Sequence, residues 1–267
     1  MRVAVTGIGV LGVGLDGWAA TRAVLRGEAP YSAVAMRNPA PAIMPAAERR
    51  RASLAIRLAL EVANQAVIDA GSEPATLASV FACCDGDGDT INAVCAAITE
   101  PGYPVSPTKF TNSVHNAAAG YWGIAVAARE PSTSLCAWEG SAFAGLAEAA
   151  VQVIVEARPV LLVVSDAPLP EPLARFHPSS SSFGCALVLV PAENVTAAHA
   201  WLEIAPYVNH ASNANNSRDT ADAIWPASLP TALGTNPAAA LVPLLAAIAR
   251  GDSAPLRCGD LTLRVSA

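Results

Sequence analysis

The stretch Pro131-Ser-Thr-Ser-Leu-Cys-Ala-Trp-Glu-Gly-Ser-Ala-Phe-Ala-Gly145 decides the fold of this chain. A β-favouring run, 133–137, leads into Trp138 and Glu139, and small residues then open an apolar helix predicted over 141–156. A residue at such a strand-to-helix corner lies above a sheet, where the free N–H groups of the helix favour negative charge. Enzymes place nucleophiles at such corners, whereas this chain has Glu139 there.

The composition limits the function classes that the chain can belong to. The chain has 267 residues, of which 53% are hydrophobic and 14% charged, and this length suffices for one large domain or two small ones. The net charge is −6 and the longest basic run is Arg49-Arg50-Arg51, which argues against nucleic-acid binding. No apolar run reaches the roughly 20 residues of a membrane span. The six cysteines lie mostly in apolar segments, so we expect free buried thiols and a cytoplasmic protein.

Apolar periodicity predicts strands alternating with helices along most of the chain, which indicates an α/β layered fold. Glycine or polar residues mark several predicted helix ends, among them Asp89, Ser113 and Gly71. Helices are predicted at 48–70, 89–99, 114–128, 141–156 and 237–250. Strands are predicted at 2–6, 77–83, 133–137, 160–165, 184–190, 200–207 and 261–265, with 184–190 and 200–207 forming a pair, while 208–228 is not assigned.

Two glycine-containing stretches resemble ligand-binding loops without completing them. Gly7-Ile-Gly-Val-Leu-Gly12 has dinucleotide-binding spacing, but no second strand closed by an acidic residue follows, so we expect a tight turn. Asp85-Gly-Asp-Gly-Asp89 resembles the start of a calcium loop. Its sixth position is Thr90 and its twelfth is Ala96, where the loop needs Gly and Glu. We therefore expect an ordinary strand-to-helix turn with Asp89 as cap.

The histidines give no sign of a metal centre at the level of sequence. His177, His199 and His210 share no metal-ligand spacing with one another or with a pair of cysteines. His115 lies at a predicted helix start, where a structural role is the simplest interpretation. We therefore expect no metal and no cofactor.

Three segments together resemble the β-ketoacyl synthase family, which has the thiolase fold: 2–10, 50–71 and 116–166. Asn116-Ala-Ala-Ala-Gly120 is similar to the family's Asn-Met-Ala-Ala-Gly segment, and 131–135 and 146–150 are similar to the strand and helix around its nucleophile. In this register the nucleophile position falls on Glu139. Cys136 lies three residues too early, inside the predicted strand.

The resemblance implies one truncated ketosynthase-like domain over 1–267, with layers in the order α-β-α-β-α. The first thiolase half, 1–183, is complete, and the second, 184–267, is shortened. Of the family's two catalytic histidines, one position falls near Gly234 and the other has no counterpart. Claisen condensation needs a thiolate to carry the acyl chain and imidazoles to stabilise the enolate. We therefore expect a ketosynthase relative without catalytic activity of its own.

Through residues 113–122 the chain resembles the short chain length factors of bacterial aryl polyene (xanthomonadin-type) clusters. That resemblance implies a heterodimer with an active β-ketoacyl-ACP synthase, served by an acyl carrier protein, in which this subunit shapes the tunnel for a polyketide or polyene chain. Strand 132–137 would pair with its equivalent in the partner. The implied interface and tunnel residues are Lys109, Phe110, Asn112, His115, Asn116, Trp122, Thr133, Leu135, Trp138 and Glu139.

Several alternatives stay open at this point. Phe110, Trp122 and Trp138 are candidates for the wall that ends the acyl chain, and plain core is the other interpretation of each. Glu139, in an apolar setting, would either accept helix N–H groups or bond across the interface. The chain could instead be a malonyl-thioester decarboxylase with Glu139 in place of the nucleophile, or a homodimeric acyl-CoA enzyme using Cys136. The missing histidines oppose the first, and the strand position of Cys136 opposes the second.

Overall fold

The structure is a computed structural model that describes residues 1–175, 177, 179, 181–207 and 221–266. His210 and most of the unassigned segment lie outside the described residues. The strands are β1 (Arg2–Gly12), β2 (Leu15–Asp16), β3 (Ala78–Ala82), β4 (Ser132–Leu135), β5 (Val160–Asp166), β6 (Phe183–Pro191), β7 (Ala200–Pro206), β8 (Ala221–Asp222), β9 (Leu256–Cys258) and β10 (Leu261–Ser266). The α-helices are α1 (Trp18–Leu25), α2 (Ala46–Arg51), α3 (Leu54–Ala70), α4 (Gly88–Ala97), α5 (Pro107–Asn112), α6 (Ala117–Val126), α7 (Ser141–Glu156) and α8 (Val242–Arg250).

The described strands form one mixed sheet in the order β4-β3-β5-β6-β1-β7-β10-β9-β8, with β2 pairing beside β1. The strands β4, β3 and β5 run parallel to one another. In the order of the sheet, the successive pairs from β5–β6 to β10–β9 are antiparallel, and β9 and β8 are again parallel. The edge at β4 therefore has the parallel pairing that helix crossovers produce.

The predicted pair of strands at 184–190 and 200–207 is wrong, because β1 lies between β6 and β7. Val3 pairs with Pro191 on one side and with Leu202 on the other. The physical reason is that β1 has eleven residues that are nearly all buried, so both of its edges can be covered. The strands of the two predicted halves therefore belong to one sheet, with β6 between β5 and β1.

Helices cover both faces of the sheet, so the predicted layered α/β fold is confirmed. On one face, α3 and α6 pack on the sheet through a buried cluster that includes Trp122 and Phe81. On the other face, α7, α8, α1 and the 3-10 turn Pro237–Leu241 pack on strands of both halves. The α7 bounds match the predicted 141–156. No helix among the described residues has the length and apolar character that crossing a bilayer requires.

The glycines of the 7–12 stretch lie inside β1 and form no turn, which corrects the expectation of a turn there. A Cβ atom on Gly7 would overlap the backbone oxygen of Ala66, and one on Gly9 would overlap that of Val62. These glycines therefore let α3 approach the sheet closely. The contact is also polar, since Gln65 of α3 accepts a hydrogen bond of 2.9 Å from the backbone N–H of Val10.

Local caps move several predicted helix boundaries. The predicted helix 48–70 is two helices, because Ala52 has an extended backbone and Ser53 caps α3 by accepting from a backbone N–H. Asp87, and not Asp89, caps α4. Asn116, and not Ser113, precedes α6. The C-terminal stop at Gly71 is confirmed by its left-handed backbone.

We expect Gly9→Ala to destabilise the fold by about 3 kcal/mol, because the added methyl group meets helix backbone that cannot move aside. Thermal unfolding, with each variant in the same state of assembly, measures the effect. Gly120→Ala is the matched control: a Cβ there meets nothing within 4 Å, so no loss is expected. Equal melting temperatures for the two variants would contradict the close packing of α3 on β1.

Candidate functional site

The corner between β4 and α7 is held in shape by Ser141, the first residue of the helix. Its Oγ accepts a hydrogen bond of 2.9 Å from the Ala137 N–H and donates one of 2.6 Å to the Trp138 carbonyl. Ser141 itself is buried. Trp138 has a left-handed backbone with φ of 53°, a conformation that costs a non-glycine residue free energy. The two Ser141 bonds therefore fix a strained turn next to Glu139, the residue on which the resemblance places the family's nucleophile position.

Glu139 projects from this corner instead of lying in an apolar setting, which corrects the sequence expectation. Its side chain is 73% exposed, and its nearest described partner is His177, whose Nε2 lies 3.9 Å from Oε1. Within the described ranges, Glu139 makes no hydrogen bond to the α7 backbone. The described contacts therefore do not favour the first of its two predicted roles, in which Glu139 accepts hydrogen bonds from helix N–H groups.

Cys136 lies just beyond the end of β4 and not within the strand. Its Sγ donates a hydrogen bond of 3.1 Å to the Cys84 carbonyl. Cys136 therefore does not point from within a strand, so its place in the fold does not oppose a role as nucleophile. The thiol is nevertheless directed at a backbone oxygen, and it lies before the left-handed turn that leads into α7.

The structure brings His177 to the corner, although the sequence analysis gave this residue no role. Its ring stacks on Trp138 with centroids 5.0 Å apart and planes at 23°. Its Nδ1 lies 2.8 Å from Asp85 Oδ2 and 3.8 Å from Cys84 Sγ. The sequence interpretation missed this group because 92 residues separate His177 from Asp85. The isolated histidine in a Pro- and Ser-rich loop carries no spacing signal.

Asp166, the last residue of β5, joins the segments that form the site. Its Oδ1 accepts hydrogen bonds of 2.8 Å from the Cys84 N–H and 3.3 Å from the Asp85 N–H. Its backbone oxygen accepts one of 2.9 Å from the Asn236 side chain. Burial raises the pKa of Asp166 to about 7, while the two backbone N–H bonds act in the opposite direction. Three distant parts of the chain therefore meet at one residue, through its carboxyl group and its backbone oxygen.

The position predicted for a lost histidine lies in a packed turn. Gly234 belongs to the 3-10 turn Thr231–Thr235, and a Cβ there would meet the ring of Trp225 at 3.3 Å. Two residues later, the buried Asn236 reaches Asp166. A polar side chain of this segment thus touches the site, through a structural hydrogen bond to backbone.

A cavity of about 290 Å³ opens beside the corner, between α3, the end of β3 and the link from α5 to α6. Asn112 and His115, two of the predicted tunnel residues, line it together with Cys83. The His115 Nε2 lies 3.5 Å from the Cys83 Sγ. Burial raises the pKa of the Cys83 thiol to about 12, so this thiol is neutral near pH 7 and is no ready nucleophile.

The predicted tunnel residues before α6 divide into exposed and structural ones. Phe110 is 67% exposed on α5, next to the half-buried Lys109. Asn112 is buried, donates to the Arg51 carbonyl and accepts from the Tyr121 hydroxyl, so it ties α5 to its neighbours. Phe110 therefore has the exposure that a contact with another molecule needs.

The remaining predicted residues lie on β4, on α6 and at the corner. Trp122 is only 1% exposed and belongs to the core between α6 and the sheet. Thr133 accepts a hydrogen bond of 3.0 Å from the α7 residue Gln152, and Leu135 packs on the core. Asn116 is exposed, as is Trp138 at 57%. Of the three wall candidates, Phe110 and Trp138 face outward and Trp122 packs inward.

We expect Ser141→Ala to lower the free energy of unfolding by about 1–2 kcal/mol, because it removes both hydrogen bonds that hold the left-handed turn. Thermal unfolding measures the loss. The control is Ser32→Ala at an exposed loop position, for which we expect a change within about 0.5 kcal/mol. An effect of Ser141→Ala no larger than that of the control would show that the corner is held by other contacts.

A comparison with protein-family models matches residues 21–234 to the β-ketoacyl synthase N-terminal domain. No curated protein sequence matches the chain. The match covers the corner, the cavity and all of the predicted interface residues, so the family assignment rests on the same part of the chain as the site.

Solved structures share the fold over the whole chain. A ketosynthase (ApeO) in complex with its chain length factor (ApeC) from Xenorhabdus doucetiae aligns with a TM-score of 0.70 at 20% identity, covering 100% of both chains. The ishigamide ketosynthase/chain length factor aligns with a TM-score of 0.70 at 13% identity, again over 100% of both chains. A β-ketoacyl synthase from Burkholderia phymatum aligns at 0.60 with 15% identity, covering 79% of this chain and 66% of the other. At these identities the likeness shows the fold.

Proposed function

The chain belongs to the β-ketoacyl synthase family, and from this premise we propose that it is a non-catalytic chain length factor. In this proposal it pairs with an active β-ketoacyl-ACP synthase, and the heterodimer elongates a polyketide or polyene chain delivered by an acyl carrier protein. The chain shapes the acyl tunnel at the interface. The observation that carries the proposal is the uncovered apolar face around the β4 edge.

The β4 edge of the sheet offers a pairing site for another strand. Residues 132–135 bond to β3 on one side, and across the described residues nothing pairs with the other side. An open edge presents unpaired N–H and C=O groups, which natural proteins usually cover or protect. A partner strand laid along β4 would extend the sheet into a second subunit, as the resemblance implies for 132–137.

The helices on both sides of β4 leave apolar side chains uncovered. The helix α6 is apolar all round, yet its Ile124 is 65% exposed. On α7, one face carries the exposed Val151, Ile154 and Val155, the last at 76%. Both helices contact β4. An apolar helix is stable in water only when all of its sides are covered, so this face favours a permanent partner.

The corner supports a role without bond formation. The residue at the nucleophile position is Glu139, which cannot carry an acyl group as a thioester. Cys83 is kept neutral by burial, and Cys136 donates to a backbone carbonyl. Within the described ranges one imidazole, that of His177, lies at the corner, where condensation in this family uses two. The decarboxylase alternative needs an enclosed side chain at 139, and the 73% exposure of Glu139 gives it no support.

Phe110 is the side chain best placed to enter a partner's tunnel. It is exposed on α5, and Ser113, Val114 and His115, which follow it, line the 290 Å³ cavity. An aromatic side chain that projects from such a segment can block an acyl chain by size alone. Trp138 is the second candidate, since it lies exposed at the corner beside the proposed interface.

We expect Ile124→Asp to weaken binding to the ketosynthase by about tenfold or more, since a carboxylate would be buried in an apolar contact. Co-expression followed by affinity purification and size-exclusion chromatography measures the 1:1 complex. Val34→Asp is the matched control, because Val34 is also 65% exposed but lies on the Pro-rich loop away from β4. Loss of the complex in both variants, or in neither, would argue against α6 as part of the interface.

We expect Phe110→Ala to shift the products of the heterodimer to longer acyl chains, because the wall becomes smaller. Acylation of the partner's nucleophile should stay intact, and mass spectrometry of carrier-bound products and of the partner measures both. Tyr103→Ala, at a residue 72% exposed before α5, is the control and should leave the product length unchanged. Unchanged products from Phe110→Ala would remove Phe110 from the tunnel wall.

A further inference from the structure

Three side chains with different ligand atoms converge behind the corner. The Cys84 thiol, the Asp85 carboxylate and the His177 ring each offer one ligand atom, and these atoms all lie within 4.8 Å of one another. The side chains of His177 and Asp85 are only 10% and 7% exposed, and Cys84 is buried. Cys84 and Asp85 also line the 290 Å³ cavity together with His115 and Asn112, and His177 joins them from outside its wall.

We propose that Cys84, Asp85 and His177 bind one divalent transition-metal ion of the zinc class. Ligand atoms in a tetrahedral zinc site lie roughly 3.3–3.6 Å apart, given zinc–sulfur bonds of about 2.3 Å and zinc–nitrogen bonds of about 2.0–2.1 Å. The 3.8 Å between Cys84 Sγ and His177 Nδ1 comes close to that separation, whereas the 2.8 Å between Nδ1 and Asp85 Oδ2 is a hydrogen-bond distance that would lengthen on metal binding. The mixed sulfur, nitrogen and oxygen donors suit zinc or cobalt better than calcium or magnesium.

The electrostatics of the surrounding segment favour a cation. The carboxylates of Asp85 and Asp166 are both buried there, and Asp166 Oδ1 holds the backbone of two of the three ligands. The Oδ2 atom of Asp166 is buried with no hydrogen-bond partner among the described residues. Among the described residues, no Lys or Arg side chain bonds to the carboxyl group of Asp85 or Asp166. A divalent ion bound here would interact favourably with the acidic groups of Asp85 and Asp166.

The second nitrogen of His177 faces the Glu139 carboxylate at a distance longer than a hydrogen bond. A metal-ligating histidine usually donates its other N–H to a carboxylate, which fixes the tautomer. Here Nε2 lies 3.9 Å from Glu139 Oε1, and Trp138 stacks on the ring face. Binding would take the Cys84 thiolate, its proton leaving to solvent, and a neutral His177 with its proton on Nε2. Glu139 and Trp138 would then position His177.

Without a metal, the same residues could form only an Asp85–His177 hydrogen bond. Titration with Co²⁺ distinguishes a metal site from this hydrogen bond, because a thiolate bound to Co²⁺ gives a charge-transfer band in the near ultraviolet. The chain is purified in complex with its ketosynthase, stripped with a chelator and titrated with CoCl₂. We expect the band to saturate at one equivalent, Zn²⁺ to displace it, and elemental analysis to give one Zn²⁺ per complex after dialysis.

The partner subunit is the same in every sample, so variants of this chain isolate its own contribution. Cys84→Ser and His177→Asn should lose the band and at least one equivalent of Zn²⁺, while Cys95→Ser, at an exposed thiol of α4, should keep both. Circular dichroism verifies that each variant is folded. A measurement on the unaltered complex also decides the matter: no band and no Zn²⁺-dependent rise in its melting temperature would overturn the proposal, as would an unchanged band in Cys84→Ser.

Discussion

One buried carboxyl group, that of Asp166, holds together the end of the sheet where the site lies. It bonds to the two backbone N–H groups after β3, and the backbone oxygen of the same residue receives Asn236 from the C-terminal part. These contacts bring together segments that lie 70 or more residues apart in the sequence. The placement of Cys84 and Asp85, and through Asp85 that of His177, depends on them. A buried acceptor at a strand end is therefore the point from which the local arrangement of the site follows.

At the β4 edge, by contrast, backbone polar groups and apolar side chains are left uncovered. Among the described residues, β1 pairs with a strand on each of its edges, whereas β4 pairs with a strand on one edge only. The chain also leaves apolar helix surface around the open edge of β4, at Ile124 and Val155. Burying apolar surface is the main favourable term in folding and in permanent association alike. The uncovered apolar surface therefore supports the proposed partner, as does the large hydrophobic fraction of the sequence.

The sequence predicts the parts of the fold that local pattern controls. The bounds of α7, the left-handed stop at Gly71 and the alternation of strands and helices follow from periodicity and from glycine. The sequence does not predict the features that depend on residues far apart in the chain. The 7–12 glycines look like a turn because their need for space comes from α3, some 55 residues further along. His177 shows no role in the sequence because its partners Cys84 and Asp85 come close to it only in the tertiary structure.

The corner keeps a strained backbone shape although the side chains of Trp138 and Glu139 are exposed. A left-handed Trp138 costs roughly 1–3 kcal/mol, and the Ser141 hydrogen bonds and the His177 ring maintain it. A group that had to hold an acyl chain would need enclosure. Here Trp138 and Glu139 are exposed by 57% and 73%, directly after the strand with the open edge. In an isolated chain that strain would have no use, whereas at an interface it presents both side chains to the partner. The geometry of the corner and the uncovered face thus support the same proposal, in which the chain acts by its shape on a second subunit.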